Sequence, residues 1–138
     1  MKKLLSIVCC AVVLLSVSSC TKQYITPDRN QTIYAVVAAS DWVAYSDGKS
    51  YYVSISVAAL DDASVKYDGV IVSASYDDGK TYEQLPEVYN GLSFSYTYNG
   101  PVNSNAGNVS IYAQSADGAT PIAPTDPIKV KIVLVYSN

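Results

Sequence analysis

The sequence predicts an all-β domain, and three observations carry that prediction. Apolar and polar residues alternate with period two in several short runs, the spacing of a strand with one face in a core and one in water. Clusters of Gly, Asn, Asp and Ser separate those runs at short intervals. No segment keeps a helical period, and residues 58–67 ("AALDDASVKY") are the one candidate for a short helical turn.

Taken in order, seven strands are expected. The first covers residues 32–39. The second, residues 51–57, sets Tyr51, Val53, Ile55 and Val57 against Tyr52, Ser54 and Ser56. The third covers 70–76, with Val70, Val72 and Ala74 on one side, and the fourth 81–85. In the fifth, 92–98, Leu92, Phe94, Tyr96 and Tyr98 oppose Ser93, Ser95 and Thr97. The sixth, 109–114, points Val109, Ile111 and Ala113 inward. The seventh, 128–136, starts with Lys129 and Lys131 outward and ends as Ile132-Val133-Leu134-Val135, apolar on both faces, as a covered central strand would be. The separators "SDGK" (46–49), "YDG" (67–69), "DDGK" (77–80) and Asn99-Gly100 tolerate positive φ. Residues 103–108 ("NSNAGN") form a polar loop. Pro121, Pro124 and Pro127 cannot donate to a ladder and exclude a strand between the last two runs. About seven short antiparallel strands, each with one wet face, fit two sheets packed face to face, an immunoglobulin-like β-sandwich; a small barrel is the alternative.

The N-terminus has the layout of an export signal. Lys2 and Lys3 precede an apolar run over residues 4–17, too short to span a bilayer, where about 20 residues are needed. Val17-Ser18-Ser19-Cys20 then resembles a bacterial lipobox, which implies cleavage before Cys20 and acylation of its thiol. More than one chain is needed for stable anchoring, each buried CH₂ contributing about 0.8 kcal/mol. The expected organisation is a lipoprotein signal peptide over 1–19, the lipidated Cys20 with a polar tether over 20–31, and a β-sandwich domain over 32–138. Cys9 and Cys10 leave with the signal, so the mature domain has no disulfide and no cysteine metal site. Its 119 residues suit one domain and carry 7 basic against 12 acidic side chains. That balance offers no basic patch for nucleic acid.

Residues 75–82, "SYDDGKTY", fit Ser-x-Asp-x-Gly-x-Thr-aromatic, the Asp-box that recurs in sialidases and other secreted β-proteins. A structural role suffices for every matching residue. Gly79 supplies positive φ, Asp77 can accept from backbone N–H groups two residues on, Ser75 and Thr81 can add hydroxyl bonds, and Tyr82 can lie over the turn. Sialidases resemble propellers several-fold longer and bind a carboxylate with an arginine cluster, whereas Arg29, in the tether, is the chain's one arginine.

The chain has no His, so no Ser-His-Asp or Cys-His arrangement and no His-based zinc site can be built. Glu83 and Glu87 are the only glutamates and read as solvated hairpin charge rather than a glycosidase pair. Asp61-Asp62 and Asp77-Asp78 could offer oxygens to Ca²⁺, but neither follows the EF-hand spacing. No catalytic residue, metal or cofactor is therefore expected. The 13 tyrosines, set against one Trp and one Phe, supply the binding candidates. Trp42, Tyr45, Tyr52, Tyr89 and Tyr112 are expected near the surface or a rim, where a rigid ring with a polar tip can stack on a sugar or anchor an interface.

Four elements together resemble a group of small uncharacterised β-sandwich lipoproteins of Bacteroides-type bacteria. They are the corner Ala39-Ser40-Asp41-Trp42, the Tyr-rich strand 51–57, the segment 69–86 running to Gln84-Leu85-Pro86, and the Pro-led terminal strand 127–135 ("PIKVKIVLV"). Glu87 departs from the pattern, which places an aromatic after Leu85-Pro86. The resemblance implies an envelope lipoprotein without an assigned activity. The expected role is an interaction or assembly subunit at the outer membrane, on its periplasmic or its cell-surface face, with a surface glycan- or protein-binding module as the alternative. The expected partners are the membrane, through the lipid, and an envelope protein or glycan.

Overall fold

A computed structural model describes residues 30–67, 69–118 and 120–136, without the side chains of residues 64, 66 and 67. The expected signal segment 1–19, the acylation site Cys20, the tether up to Arg29, and Asp68 of the "YDG" turn lie outside the described residues.

The fold is all-β: two antiparallel sheets packed face to face. The strands are β1 (Gln31–Val37), β2 (Val43–Ala44), β3 (Ser50–Val57), β4 (Gly69–Ser75), β5 (Glu83–Gln84), β6 (Glu87–Tyr89), β7 (Leu92–Asn99), β8 (Gly107–Ser115) and β9 (Ile128–Val135). A four-stranded sheet has the order β1-β9-β4-β5, and a five-stranded sheet the order β2-β3-β8-β7-β6. All pairings are antiparallel. Each of the seven expected strands is present. β1 begins at Gln31, one residue before the expected domain boundary, and the fourth strand shrinks to two residues because residues 81 and 82 belong to a loop.

Two strands were not expected, β2 and β6. Both are too short to show a period. β6 nevertheless had a signal in Asn90-Gly91, whose φ angles of 48° and 77° close a two-residue hairpin between Tyr89 and Leu92. The expected turn at Asn99-Gly100 differs: Asn99 still pairs with Asn108, and the connection to β8 begins after it. A helical turn, α1 (Asp62–Tyr67), forms within the one segment that had the residues for it. Residues 120–127 contain no strand, in keeping with the three prolines. The Leu85-Pro86 peptide is cis.

Register explains the core. In the four-stranded sheet Val37 pairs with Ile128, Ile132 with Val72, and Leu134 with Val70, so these side chains share the inner face. In the five-stranded sheet Val53 pairs with Ile111 and Phe94 with Ala113. All are buried. Tyr96 ties the layers together, its hydroxyl donating to the Val70 carbonyl at 2.8 Å. β9 is central in its sheet, as its sequence suggested. Its outer-face Val133 and Val135 are half-buried by neighbouring strands.

Close approach is tightest at Gly107, which opens β8. Its N–H donates to the Leu60 carbonyl at 2.9 Å. A Cβ there would stand 2.5 Å from both the Leu60 and the Asn99 carbonyl oxygens. Backbone cannot yield as a side chain does, so Gly107→Ala should cost about 1–3 kcal/mol. Denaturant unfolding of the variant against the parent measures it, with Gly69→Ala, whose Cβ meets only ordinary contact with Val135 at 3.8 Å, as the tolerant control.

Candidate functional site

The structure brings together three of the five aromatic candidates. Tyr52 on β3 faces Tyr112 on β8 in register, and their rings are 6.2 Å apart at 27°. Tyr45, just past β2, sets its ring edge-on to both, at 5.6 Å and 5.4 Å. The Tyr45 N–H donates to the Ser50 carbonyl, which holds the turn that presents it. The cluster sits on the outer face of the five-stranded sheet. Around it the outward positions of β3, β7 and β8 include Ser54, Ser56, Ser95, Thr97, Ser110 and Gln114, neutral hydrogen-bonding side chains, while the exposed Val43 of β2 pairs with Tyr52 on its other flank.

Tyr89 lies elsewhere, on β6 at the opposite edge of that sheet, stacked on Tyr76 at 3.8 Å and 4°. The expectation for Trp42 is corrected: it is only 7% exposed and belongs to the core, 6.1 Å from Phe94. The reason is the 3-10 turn Ala39–Asp41, where Asp41 Oδ2 accepts from the Ala38 N–H at 2.8 Å and the chain swings the indole inward. Trp42 Nε1 has no hydrogen-bond partner and is the one such buried side-chain atom among the described residues.

The Asp-box segment is a loop joining β4 to β5, held by its own side chains. Ser75 Oγ donates to Asp77 Oδ1 at 2.8 Å and accepts from the Gly79 N–H at 2.8 Å. Asp77 Oδ1 also accepts from the N–H groups of Lys80 and Thr81, at 3.1 Å and 2.9 Å. Those donors lie three and four residues on, rather than the expected two. Asp78 and Gly79, at φ of 64° and 87°, widen the turn and bring them round. The loop folds over the outer face of the four-stranded sheet. Lys129 Nζ meets Asp78 at 2.8 Å, Lys131 Nζ lies 4.7 Å from the centre of the Tyr82 ring, and Tyr82 packs edge-on to Tyr34. A similar device holds the turn after β8, where Ser115 Oγ donates to Asp117 Oδ1 at 2.6 Å. In the turn before β3, Asp47 accepts from the N–H groups of Lys49 and Ser50.

Glu83 is exposed, as expected of solvated hairpin charge, but Glu87 departs from that expectation. Glu87 is half-buried and accepts from the Tyr76 hydroxyl at 2.8 Å. Burial holds its carboxyl above the usual range, and hydrogen bonding with the Glu83 carboxyl adds to that, against the Tyr76 bond. Burial likewise pushes the Tyr76 phenol up. Carboxyl groups in direct contact leave no room for a sugar between them; glycosidase pairs stand about 5 Å or more apart. The neighbouring cavity, lined by Tyr76, Tyr89, Phe94, Pro124 and Ile128, has a volume of about 40 Å³. Among the described residues no group of three or more His, Cys, Asp or Glu side chains comes together.

A further feature was not readable from the sequence. Among the described residues β1 is an edge strand, with β9 on one side and no strand on the other. β3 is bordered by β2 only at Tyr51 and Tyr52, and among the described residues no strand pairs with residues 53–56 on that side, while the Val57 carbonyl accepts from the Leu60 N–H. The two bare edges flank a cleft of about 510 Å³ lined by Ala35, Val37, Asp41, Val43, Val53 and Ile55.

Comparison of the chain with protein-family models, curated proteins and solved structures gives no match.

Two pH effects follow from the carboxylates. Hydrogen bonds from Thr81 and Ser75 lower Asp77 from 3.8 to about 2. The folded state therefore gains stability from Asp77 above pH 3.8 and loses it as pH falls towards about 2. Asp77→Asn should lower Tm at neutral pH and flatten the acid side of the Tm profile, where Asp47 still contributes in the same direction. Glu87 has the opposite sign. Its raised value favours the fold below 4.5, its ordinary value, and that support disappears as pH rises through its folded value. Glu87→Gln keeps an acceptor for Tyr76, so its Tm should match the parent near pH 4 and exceed it at pH 7.

Proposed function

We propose that this chain is a lipid-anchored envelope protein with a non-catalytic role, an interaction or assembly subunit at the outer membrane. The observation that supports the interaction role is the bare edge of β1. Its sequence, QTIYAVV, contains no charge, proline or glycine, and Tyr34 and Val36 are 65% and 67% exposed. Sheet edges in monomeric proteins are ordinarily blunted by charge, proline, bulges or brevity, and a long apolar edge left open is a surface for pairing. The anchor rests on the basic, apolar and small-residue succession that ends at Cys20.

A second reading has its own support. The Tyr45–Tyr52–Tyr112 cluster on a neutral, hydroxyl-rich sheet face suits a glycan- or protein-binding module, because aromatic rings with nearby hydroxyl and amide groups match an uncharged sugar.

Cys20→Ser should move the protein from the membrane to the soluble fraction and leave its precursor uncut. An unchanged membrane fraction refutes the anchor. Replacing Tyr45, Tyr52 and Tyr112 with Ala separates the two roles: recovery of an envelope partner by the lipidated protein should be unchanged for an assembly subunit and lost for a module that binds through the tyrosines.

A further inference from the structure

The open edges define the shape and chemistry of what they would hold. Among the described residues, β1 presents an unpaired row of main-chain donors and acceptors along Gln31–Val37, and residues 53–56 of β3 present a second on the other layer. No ladder joins β1 to β3, although their Cα atoms come within 8 Å of each other. Ile33, Ala35 and Ile55 point inward and pack on the core, yet each is only partly covered. The cleft, which Ala35 and Ile55 line together with Val37, Val43 and Val53, also has Ser54, Tyr52 and one charged side chain, Asp41, at the end where β1 leads into the 3-10 turn.

We propose that this seam takes an extended segment of a partner protein, added as a strand beside β1; the proposal rests on the interaction role above. An extended main chain satisfies a bare row of N–H and C=O groups, whereas a helix has already spent its own. Strand side chains alternate between faces, so one set of alternate residues in the segment is apolar and completes the cover over Ile33, Ala35 and Ile55. Asp41 sets the charge. The matching segment is free of carboxylates and places one Lys or Arg at the end beside Val37. A second copy of β1 meets the first two requirements and fails the third, because QTIYAVV brings no cation.

The test is site-specific photo-cross-linking of the full-length lipidated protein in intact envelopes. A photoreactive residue replaces Val36 on β1, Ser54 on β3 or, as a distant control, Thr97 on the outer face of the five-stranded sheet. The expected result is that positions 36 and 54 link to one and the same segment of another protein, with apolar residues at every second position and a basic residue at one end. Asp41→Asn keeps an oxygen for the Ala38 N–H and removes the charge, so it should lower that yield about two- to fivefold, the range of an exposed ion pair. Links from 36 and 54 to a segment without that alternation, or to a second copy of this chain, overturn the proposal. Links to a partner from position 97 alone overturn it while leaving the interaction role intact. Absence of links from all three positions removes both.

Discussion

Val72, Ile132 and Leu134 on one sheet and Val109, Ile111 and Phe94 on the other are all shut off from water, and their mutual burial fixes how the two layers sit. Burying such a side chain contributes about 1.5–3 kcal/mol, against the entropy of ordering the strands that present it. No cross-link shares the task, since every cysteine of the chain lies at or before residue 20. The small branched side chains suit this arrangement, because they pack on a pleated surface and lose little rotamer freedom there. Tyr96 adds direction to a cohesion that otherwise has none, by bonding across the gap to Val70.

The connections work on a different principle, local and polar. At the turns before β3, after β4 and after β8, an aspartate carboxylate gathers nearby hydroxyl or N–H groups, while a glycine takes a φ near 67° to 87°. A serine hydroxyl is a partner each time: Ser50, Ser75 and Ser115. The Asp-box stretch is thus the longest of three related turns. Its Ser75 and Asp77 side chains are engaged within the loop, and Asp78 and Tyr82 with the sheet below, through Lys129, Lys131 and Tyr34.

Much of this was legible in the sequence, because period-two alternation is a local property that register then preserves. Strands such as Ser50–Val57 and Leu92–Asn99 sit within a residue of where their patterns placed them. What could not be read was non-local. Nothing in QTIYAVV says that it ends a sheet, since edge or centre is decided by which strands arrive beside it. Trp42 is expected at a rim as an aromatic with a polar tip, but the tight turn next to it buries it between the exposed Asp41 and Val43. Grouping of Tyr45, Tyr52 and Tyr112 depended on the β3–β8 register, and Tyr89 fell on the far edge for the same reason. Glu87 looked solvated until Tyr76, 11 positions earlier, was seen to reach it.

β1 is both the first strand and an edge, and it lies antiparallel along β9, with Gln31 opposite Leu134. The start of β1 and the end of β9 thus lie side by side, so a load drawn between those two ends opens the ladder pair by pair from Gln31–Leu134 inward, the geometry in which a two-strand contact resists mechanical force least. The strand left bare on one flank is also the one whose remaining flank is released from its own leading end.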